Sequence, residues 1–155
     1  MTLSKKNEEL NQFTLVEELG FAEIYLDDSK KVRMIKYLDN VVIDIEKAKK
    51  VVEVIYPFIV NGALYGMTDA TAKNINITPD TRKLYSSNKS MNSSIIHVVV
   101  LKELYVRIIT KMFISFDKPS VPTKIFNDFH KAYEYLLAYE VKFTAERNSS
   151  NVPSV

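Results

Sequence analysis

Two clusters of aliphatic and aromatic residues near the beginning of the chain predict its first secondary structure. Residues 21–26 and 32–38 carry these clusters and flank a polar stretch at 27–31 that contains two aspartates and a serine. Apolar runs of this length joined by such a turn are typical of paired strands. The pattern therefore predicts an antiparallel hairpin.

A helix and a further strand are predicted after the hairpin. Asp44 can cap a helix whose apolar residues recur every three or four positions, at Ile45, Ala48, Val51, Val52 and Ile55. Pro57 marks the approximate end of that helix, and Asn61 and Gly62 offer a left-handed exit. The apolar residues 63–68 then form a strand. A strand that follows a strand and a helix in this way predicts a parallel crossover.

The same alternation continues in the second half of the chain. Thr78 is a good helix cap and Pro79 suits the first helical position, so we expect a short helix there that runs to Tyr85. Residues 86–94 are small and polar and predict a loop. Residues 95–101 are β-branched and almost continuously apolar, which predicts a central strand covered on both faces.

The next predicted helix, at residues 103–116, is more apolar than a single core requires. Its polar residues form one narrow stripe, and the remaining surface consists of Leu104, Tyr105, Val106, Ile108, Ile109, Met112 and Phe113. Because soluble proteins rarely expose large apolar patches, we expect these seven residues to form a homodimer interface. Two alternatives are burial on both sides within one chain, and a pocket or lipid contact for a small apolar or amphipathic ligand.

The last elements complete an α/β fold. Residues 123–126 predict a short strand, and Asp128 can cap a final helix. The whole pattern predicts a mixed, mainly parallel sheet of about five strands, with the hairpin at its N-terminal side and about four helices around it. We expect one domain at residues 13–145, between flexible polar tails at 1–12 and 146–155.

Composition excludes several classes of function. The formal charge is only +2 and its signs are mixed along the chain, which argues against a nucleic-acid partner. There is no cysteine and there are only two histidines, His97 and His130, so we expect neither a metal nor a cofactor. No apolar stretch is long enough to span a membrane, and no secretory signal is seen, so a cytoplasmic location is expected.

One segment resembles a known family. Residues 116–128 have the pattern F-x-K-P-x-x-P-x-x-x-F followed by an acidic turn, and Ala132 and Leu136 continue it as an Ala-x-x-x-Leu helix. This combination is similar to that of small bacterial STAS-like proteins, which resemble the sporulation anti-sigma-factor antagonists, and the likeness extends over residues 20–142. It implies an α/β sheet flanked by helices and a regulatory role through a protein partner.

The resemblance also points to a candidate site. The antagonists carry a phosphorylatable serine in an Asp-Ser-Ser-Gly motif at the helix start that corresponds to Thr78, Pro79, Asp80 and Thr81, but this sequence lacks the motif. Asp69 ends the preceding strand, where α/β sheets often bind ligands. Thr78, Asp80, Thr81 and Asp69 are therefore the candidate phosphoacceptor or ligand site. Because the motif is missing, we expect at most a weak phosphoacceptor at Thr78 or Thr81, and structural roles for the two aspartates, with a ligand site as the alternative.

Catalytic motifs give no competing prediction. The sequence contains no phosphate-binding glycine loop and no zinc-protease motif. His97 lies in an apolar strand and has no serine or carboxylate at a recognisable spacing, so we expect a structural role for it. We therefore expect a non-catalytic regulatory module, with a carrier or sensor of a small apolar or amphipathic ligand as the alternative.

Overall fold

The structure, a computed structural model, describes residues 10–87, 94–102, 107 and 121–150. Eight strands and three helices lie within these residues. The strands are β1 (Phe13–Glu18), β2 (Ala22–Asp27), β3 (Val32–Tyr37), β4 (Val42–Ile43), β5 (Tyr65–Asp69), β6 (Asn76–Ile77), β7 (Ile96–Val100) and β8 (Thr123–Phe126). The helices are α1 (Ile45–Val60), α2 (Pro79–Ser87) and α3 (Phe129–Ser150).

Six of the strands form one mixed sheet in the order β1-β2-β3-β5-β7-β8, and β4 pairs with β6 in a small second sheet. β1, β2 and β3 are antiparallel neighbours, whereas β3, β5, β7 and β8 run parallel. The predicted hairpin and the mainly parallel sheet are confirmed. The sheet has one strand more than expected, since β1 pairs with β2, and β7 lies next to the edge strand β8 rather than at the centre.

α1 begins as its sequence predicts and ends later. The Asp44 carboxylate accepts a hydrogen bond from the Lys47 backbone N–H at 2.9 Å, which caps the first turn. Pro57, which marks the approximate end in the sequence, lies in the last turn, and the helix continues three residues further to Val60. Gly62 then leaves the helix with a φ of +103°, in the left-handed region that suits glycine.

The large sheet is covered by a separate apolar core on each face. One face packs against α3 through side chains that include Met34, Met67, Val98, Ala132 and Leu136. The other face packs against α1 and the β4–β6 sheet through side chains that include Ile24, Ile35, Ile43, Val51 and Ile55. Alternate residues of β3 therefore serve opposite cores, as the pleat of a strand requires.

α3 is attached to the hairpin by a buried carboxylate. Asp27, which is 2% exposed, accepts hydrogen bonds from the Ser29 hydroxyl at 2.7 Å and from the backbone N–H groups of Lys31 and Val32 at 3.2 and 3.1 Å. It also accepts one from the Tyr133 hydroxyl of α3 at 2.8 Å. The same carboxylate thus stabilises the β2–β3 turn and fixes the helix above it.

The last helix is longer than the sequence pattern indicates. It follows Asp128, whose carboxylate accepts from the Lys131 N–H at 3.0 Å, and it runs to Ser150. Residues 146–150, which we assign to a flexible tail from their composition, are therefore helical. Residues 146–149 are all exposed, as expected at the end of a helix on the surface.

Candidate functional site

The start of α2 is held against the small second sheet. The Thr78 N–H donates to the Ile43 carbonyl at 3.1 Å, which continues the β4–β6 pairing by one bond. The Thr78 carbonyl accepts from the Arg82 N–H at 3.0 Å and closes the first helical turn. The helix thus begins at Pro79, as the sequence predicts, and its first turn has a fixed position.

The two hydroxyls at this helix start face each other. The Oγ1 atoms of Thr78 and Thr81 lie 2.6 Å apart in a hydrogen bond. Thr81 is fully buried, with 0% of its surface exposed, whereas Pro79 and Asp80 are exposed. A kinase could not reach the Thr81 hydroxyl unless this turn opened. The most exposed residues at this helix start are therefore Pro79 and Asp80, whereas Thr78 is half-buried.

Asp69 is the last residue of β5, and its side chain orders the turn that follows. It is 7% exposed, and its Oδ1 accepts hydrogen bonds from the Thr71 N–H at 3.0 Å and the Thr71 hydroxyl at 2.7 Å. Within the described part of the chain, no hydrogen bond joins Asp69 to the start of α2. Its contacts are those of a residue that orders a turn.

Two loops beside this helix start are tied together, a feature that the sequence does not reveal. The Asn74 side-chain amide donates to the Asn40 Oδ1 at 2.8 Å, and the Lys73 N–H donates to the Asp39 carboxylate at 2.8 Å. Asn40 and Asn74 have φ angles of 60° and 56°, which asparagine tolerates better than most residues. The loops after β3 and β5 therefore form a rigid support for the β4–β6 sheet.

A buried arginine lies near the amino ends of the parallel strands. Arg33 of β3 is 3% exposed; its Nη1 donates to the Ala63 carbonyl at 2.6 Å and its Nη2 to the Ser94 hydroxyl. Burial lowers the pKa of Arg33 to about 10, so the guanidinium stays charged at neutral pH. It connects β3 to the segments that precede β5 and β7.

His97 lies on the same face of the sheet as Arg33. Its Nε2 is 2.8 Å from the Thr68 hydroxyl. Burial is the main cause that lowers the pKa of His97 from 6.5 to about 3, and the positive charge of Arg33 is the second. The imidazole is therefore neutral at physiological pH. Its hydrogen bond joins β7 to β5, which is the kind of contact expected of a structural histidine.

The comparisons with known proteins agree with this architecture. Residues 25–140 match the family described as a domain of unknown function, DUF7793. The chain belongs to the DUF7793 family. The fold of this DUF7793 protein is similar to the crystal structure of an uncharacterised DUF3478-family protein from Shewanella loihica PV-4, which has a SpoIIAA-like fold. A comparison with curated proteins finds no match.

The likeness to the Shewanella protein is one of fold. The TM-score is 0.50 at 11% sequence identity, and the match covers 80% of the DUF7793 chain and 91% of the other chain. A SpoIIAA-like fold is the STAS-like fold, so the predicted resemblance and fold class are confirmed. At this identity the comparison transfers no activity and no site residues.

The predicted interface helix lies outside the described residues of this DUF7793 protein. This applies to Leu104, Tyr105, Val106, Ile108, Ile109, Met112 and Phe113. The homodimer expected through that helix stays a prediction. So does the alternative, in which the same side chains line a pocket for an apolar or amphipathic ligand. Native mass spectrometry tests both, because it reports oligomer mass and bound small molecules together.

Residues 10–87, 94–102, 107 and 121–150 of the DUF7793 chain contain neither a metal-ion cluster nor a membrane-spanning helix. Across these ranges, no group of three or more histidine, aspartate or glutamate side chains is arranged to hold a metal ion. In the same ranges, no helix combines the length and apolarity needed to cross a membrane.

Proposed function

We propose that this DUF7793 protein is a non-catalytic regulatory module that acts by binding a protein partner at the start of α2. The observation that carries the proposal is that some groups at this helix start are exposed, whereas its two hydroxyls are bonded to each other. Pro79 and Asp80 are exposed, whereas the hydroxyls of Thr78 and Thr81 are hydrogen-bonded to each other. The surface there can make contacts, but its hydroxyls are engaged internally.

The fold supports a binding surface at the start of α2. The anti-sigma-factor antagonists that the sequence resembles have their regulated serine at the corresponding helix start, and the chain has a SpoIIAA-like fold. In this protein the helix start is further supported by the tied loops at Asn40 and Asn74. A preformed surface loses less conformational entropy on binding, so rigidity favours a docking role. The Asp80 carboxylate favours a partner that presents a basic group.

Site-specific photo-crosslinking tests the proposal. A photoreactive amino acid replaces Asp80 in one variant, and Asp28 in a control variant. Asp28 is also an exposed aspartate, but it lies in the β2–β3 turn at the amino end of β3, whereas α2 begins after the β4–β6 pair, beyond the carboxyl ends of β3 and β5. In cells of the source organism we expect a discrete protein adduct at position 80 and none at position 28.

The partner identified by mass spectrometry then allows a direct binding measurement. Asp80→Lys should weaken its binding at least about tenfold, since it reverses the charge that we propose faces the partner's basic group, while Asp28→Lys should leave the affinity unchanged. Identical adducts at both positions, or an unchanged affinity of the Asp80→Lys protein, would contradict the proposal. Circular dichroism of each variant checks that the fold is intact.

A further inference from the structure

The end of α1 is a hydrogen-bonded cap built around an exposed asparagine and glycine. The Ala63 N–H donates to the Phe58 carbonyl at 2.9 Å, and the Gly62 N–H donates to the Ile59 carbonyl at 3.0 Å. Together with the φ of +103° at Gly62, these two bonds form a Schellman motif. Asn61 and Gly62 are both exposed, so solvent water reaches this pair.

An asparagine followed by a glycine is chemically labile. Asparagine is a thermolabile residue, and its side-chain amide is lost when the next backbone nitrogen attacks the side-chain carbonyl carbon. Glycine favours this attack because it has no Cβ beside the attacking nitrogen. In the described part of the chain, no heavy atom beyond the adjacent residues lies within 4 Å of the place that a Cβ on Gly62 would occupy. Packing therefore does not shield the reacting groups.

The folded conformation nevertheless holds the two reacting atoms apart. Asn61 has a ψ of 10°, so the Gly62 nitrogen nearly eclipses the Asn61 backbone nitrogen and is turned away from the side chain. The Gly62 N–H is also bound to the Ile59 carbonyl. Ring closure needs rotation about the Cα–C bond of Asn61, which breaks the motif. Because helix ends open locally at low cost in free energy, the fold slows the reaction without preventing it.

We propose that Asn61 is the site at which the folded chain deamidates without an enzyme, at a rate set by the opening of the Schellman motif. The Gly62 nitrogen forms a bond to Cγ of Asn61, the bond from Cγ to Nδ2 breaks, and the Gly62 amide proton leaves with the amine as ammonia. A five-membered succinimide results. Solvent water then adds to one of its two carbonyls and gives aspartate or isoaspartate at position 61.

Either product weakens the end of α1. A carboxylate at position 61 lies beside the negative end of the helix dipole, and the last turn of α1 contains no basic residue. Isoaspartate lengthens the backbone by one carbon, so the two bonds of the motif no longer fit. The Ala63 carbonyl, two residues further on, accepts from the buried Arg33 at 2.6 Å. The modified turn therefore adjoins a contact on which a buried charge depends.

Peptide mapping by mass spectrometry tests the proposal on the full chain kept in mildly alkaline buffer. Asn40 and Asn74 are the internal controls, since both are exposed but precede the β-branched residues Val41 and Ile75. Conversion at Asn61 should be at least about tenfold faster than at either control, because branching at Cβ hinders the attacking nitrogen. Equal conversion at the three asparagines, or none at Asn61, overturns the proposal.

The role of the Schellman motif is tested by repeating the measurement in urea. Unfolding should speed conversion at Asn61 at least about fivefold, because the motif no longer holds the atoms apart. Equal rates in the folded and unfolded chains would show that the motif does not control the reaction. In urea, Gly62→Ala should slow conversion at Asn61 at least about tenfold, since the added Cβ hinders attack. An unchanged rate in that variant contradicts attack by the Gly62 nitrogen.

The effect of the product on α1 is measured with Asn61→Asp, which reproduces the charged form. Its Tm should be lower than that of the wild type by about 1–3 °C at low salt, and by less at high salt, which screens the helix dipole. The matched control is Asn61→Gln, which keeps an uncharged amide and should show no such dependence on salt. An unchanged Tm in Asn61→Asp would refute the weakening of α1.

Discussion

The imidazole of His97 occupies the space that a side chain on Gly66 would need. A Cβ at position 66 would overlap Nδ1 of His97 and lie 2.8 Å from the Ser94 hydroxyl oxygen. Gly66 and His97 are direct partners in the parallel β5–β7 pairing. The missing side chain therefore lets the imidazole lie across β5 and reach the Thr68 hydroxyl.

Gly66→Ala should destabilise the fold by about 1–3 kcal/mol, because the added methyl group must displace the imidazole or shift the strands. Urea denaturation measures this loss. The double variant Gly66→Ala with His97→Ala should lose about 1 kcal/mol less stability than the two single losses added together, since the overlap is removed. Strict additivity of the two changes would show that the imidazole does not oppose the methyl group.

The Asp27 carboxylate should be a major contributor to stability. Asp27→Ala leaves buried donors of the turn and the Tyr133 hydroxyl without their acceptor, which should cost about 3 kcal/mol. Tyr133→Phe removes one of these bonds and should cost about 1 kcal/mol. The neighbouring Asp28 is exposed, so Asp28→Ala serves as the control and should change stability by less than about 0.5 kcal/mol. Equal losses for Asp27→Ala and Asp28→Ala would refute this role.

His97 should make stability depend on pH in the mildly acidic range. Its folded pKa of about 3 lies below the ordinary value of 6.5, so the unfolded chain binds a proton that the folded chain does not. The stability that neutral His97 contributes is complete above pH 6.5 and falls as the pH is lowered toward 3. Through this one group, the free energy of unfolding changes by at most about 1.4 kcal/mol per pH unit.

Urea denaturation between pH 7 and pH 4.5 measures this dependence. His97→Gln removes the titrating group, so its stability should fall less steeply than that of the wild type. Thr68→Val removes the hydroxyl partner but keeps the imidazole, and it should lower stability while retaining the wild-type dependence. Equal slopes for the wild type and His97→Gln would contradict the prediction.

Phosphate should be absent or substoichiometric at the start of α2. Thr81 is fully buried, and the Thr78 hydroxyl is bound to it. Intact-protein mass spectrometry of the chain purified from its source organism should therefore show the unmodified mass as the main species. Stoichiometric phosphate on either threonine would refute this expectation and would revive a phosphorylation switch.

The sequence by itself determined the elements whose signals are local. The cap at Asp44, the exit at Gly62 and the helix start at Thr78 depend on backbone groups within four residues, so their chemistry is visible in a short window. Periodicity likewise predicted the hairpin and the parallel strands. The same window gave the end of α1 only approximately, because Pro57 lies within the last turn and the helix runs on to Val60.

Only the tertiary structure decided the contacts that join distant parts of the chain. Tyr133 bonds to Asp27 across 106 positions, and Arg33 bonds to Ser94 across 61. The sequence identified Thr78 and Thr81 as candidates, but the burial of one hydroxyl depends on what the fold packs around it. Such contacts form only when the sheet order is set. No pattern of residue types along the chain states which strands become neighbours, because that order depends on how both faces of the sheet are covered.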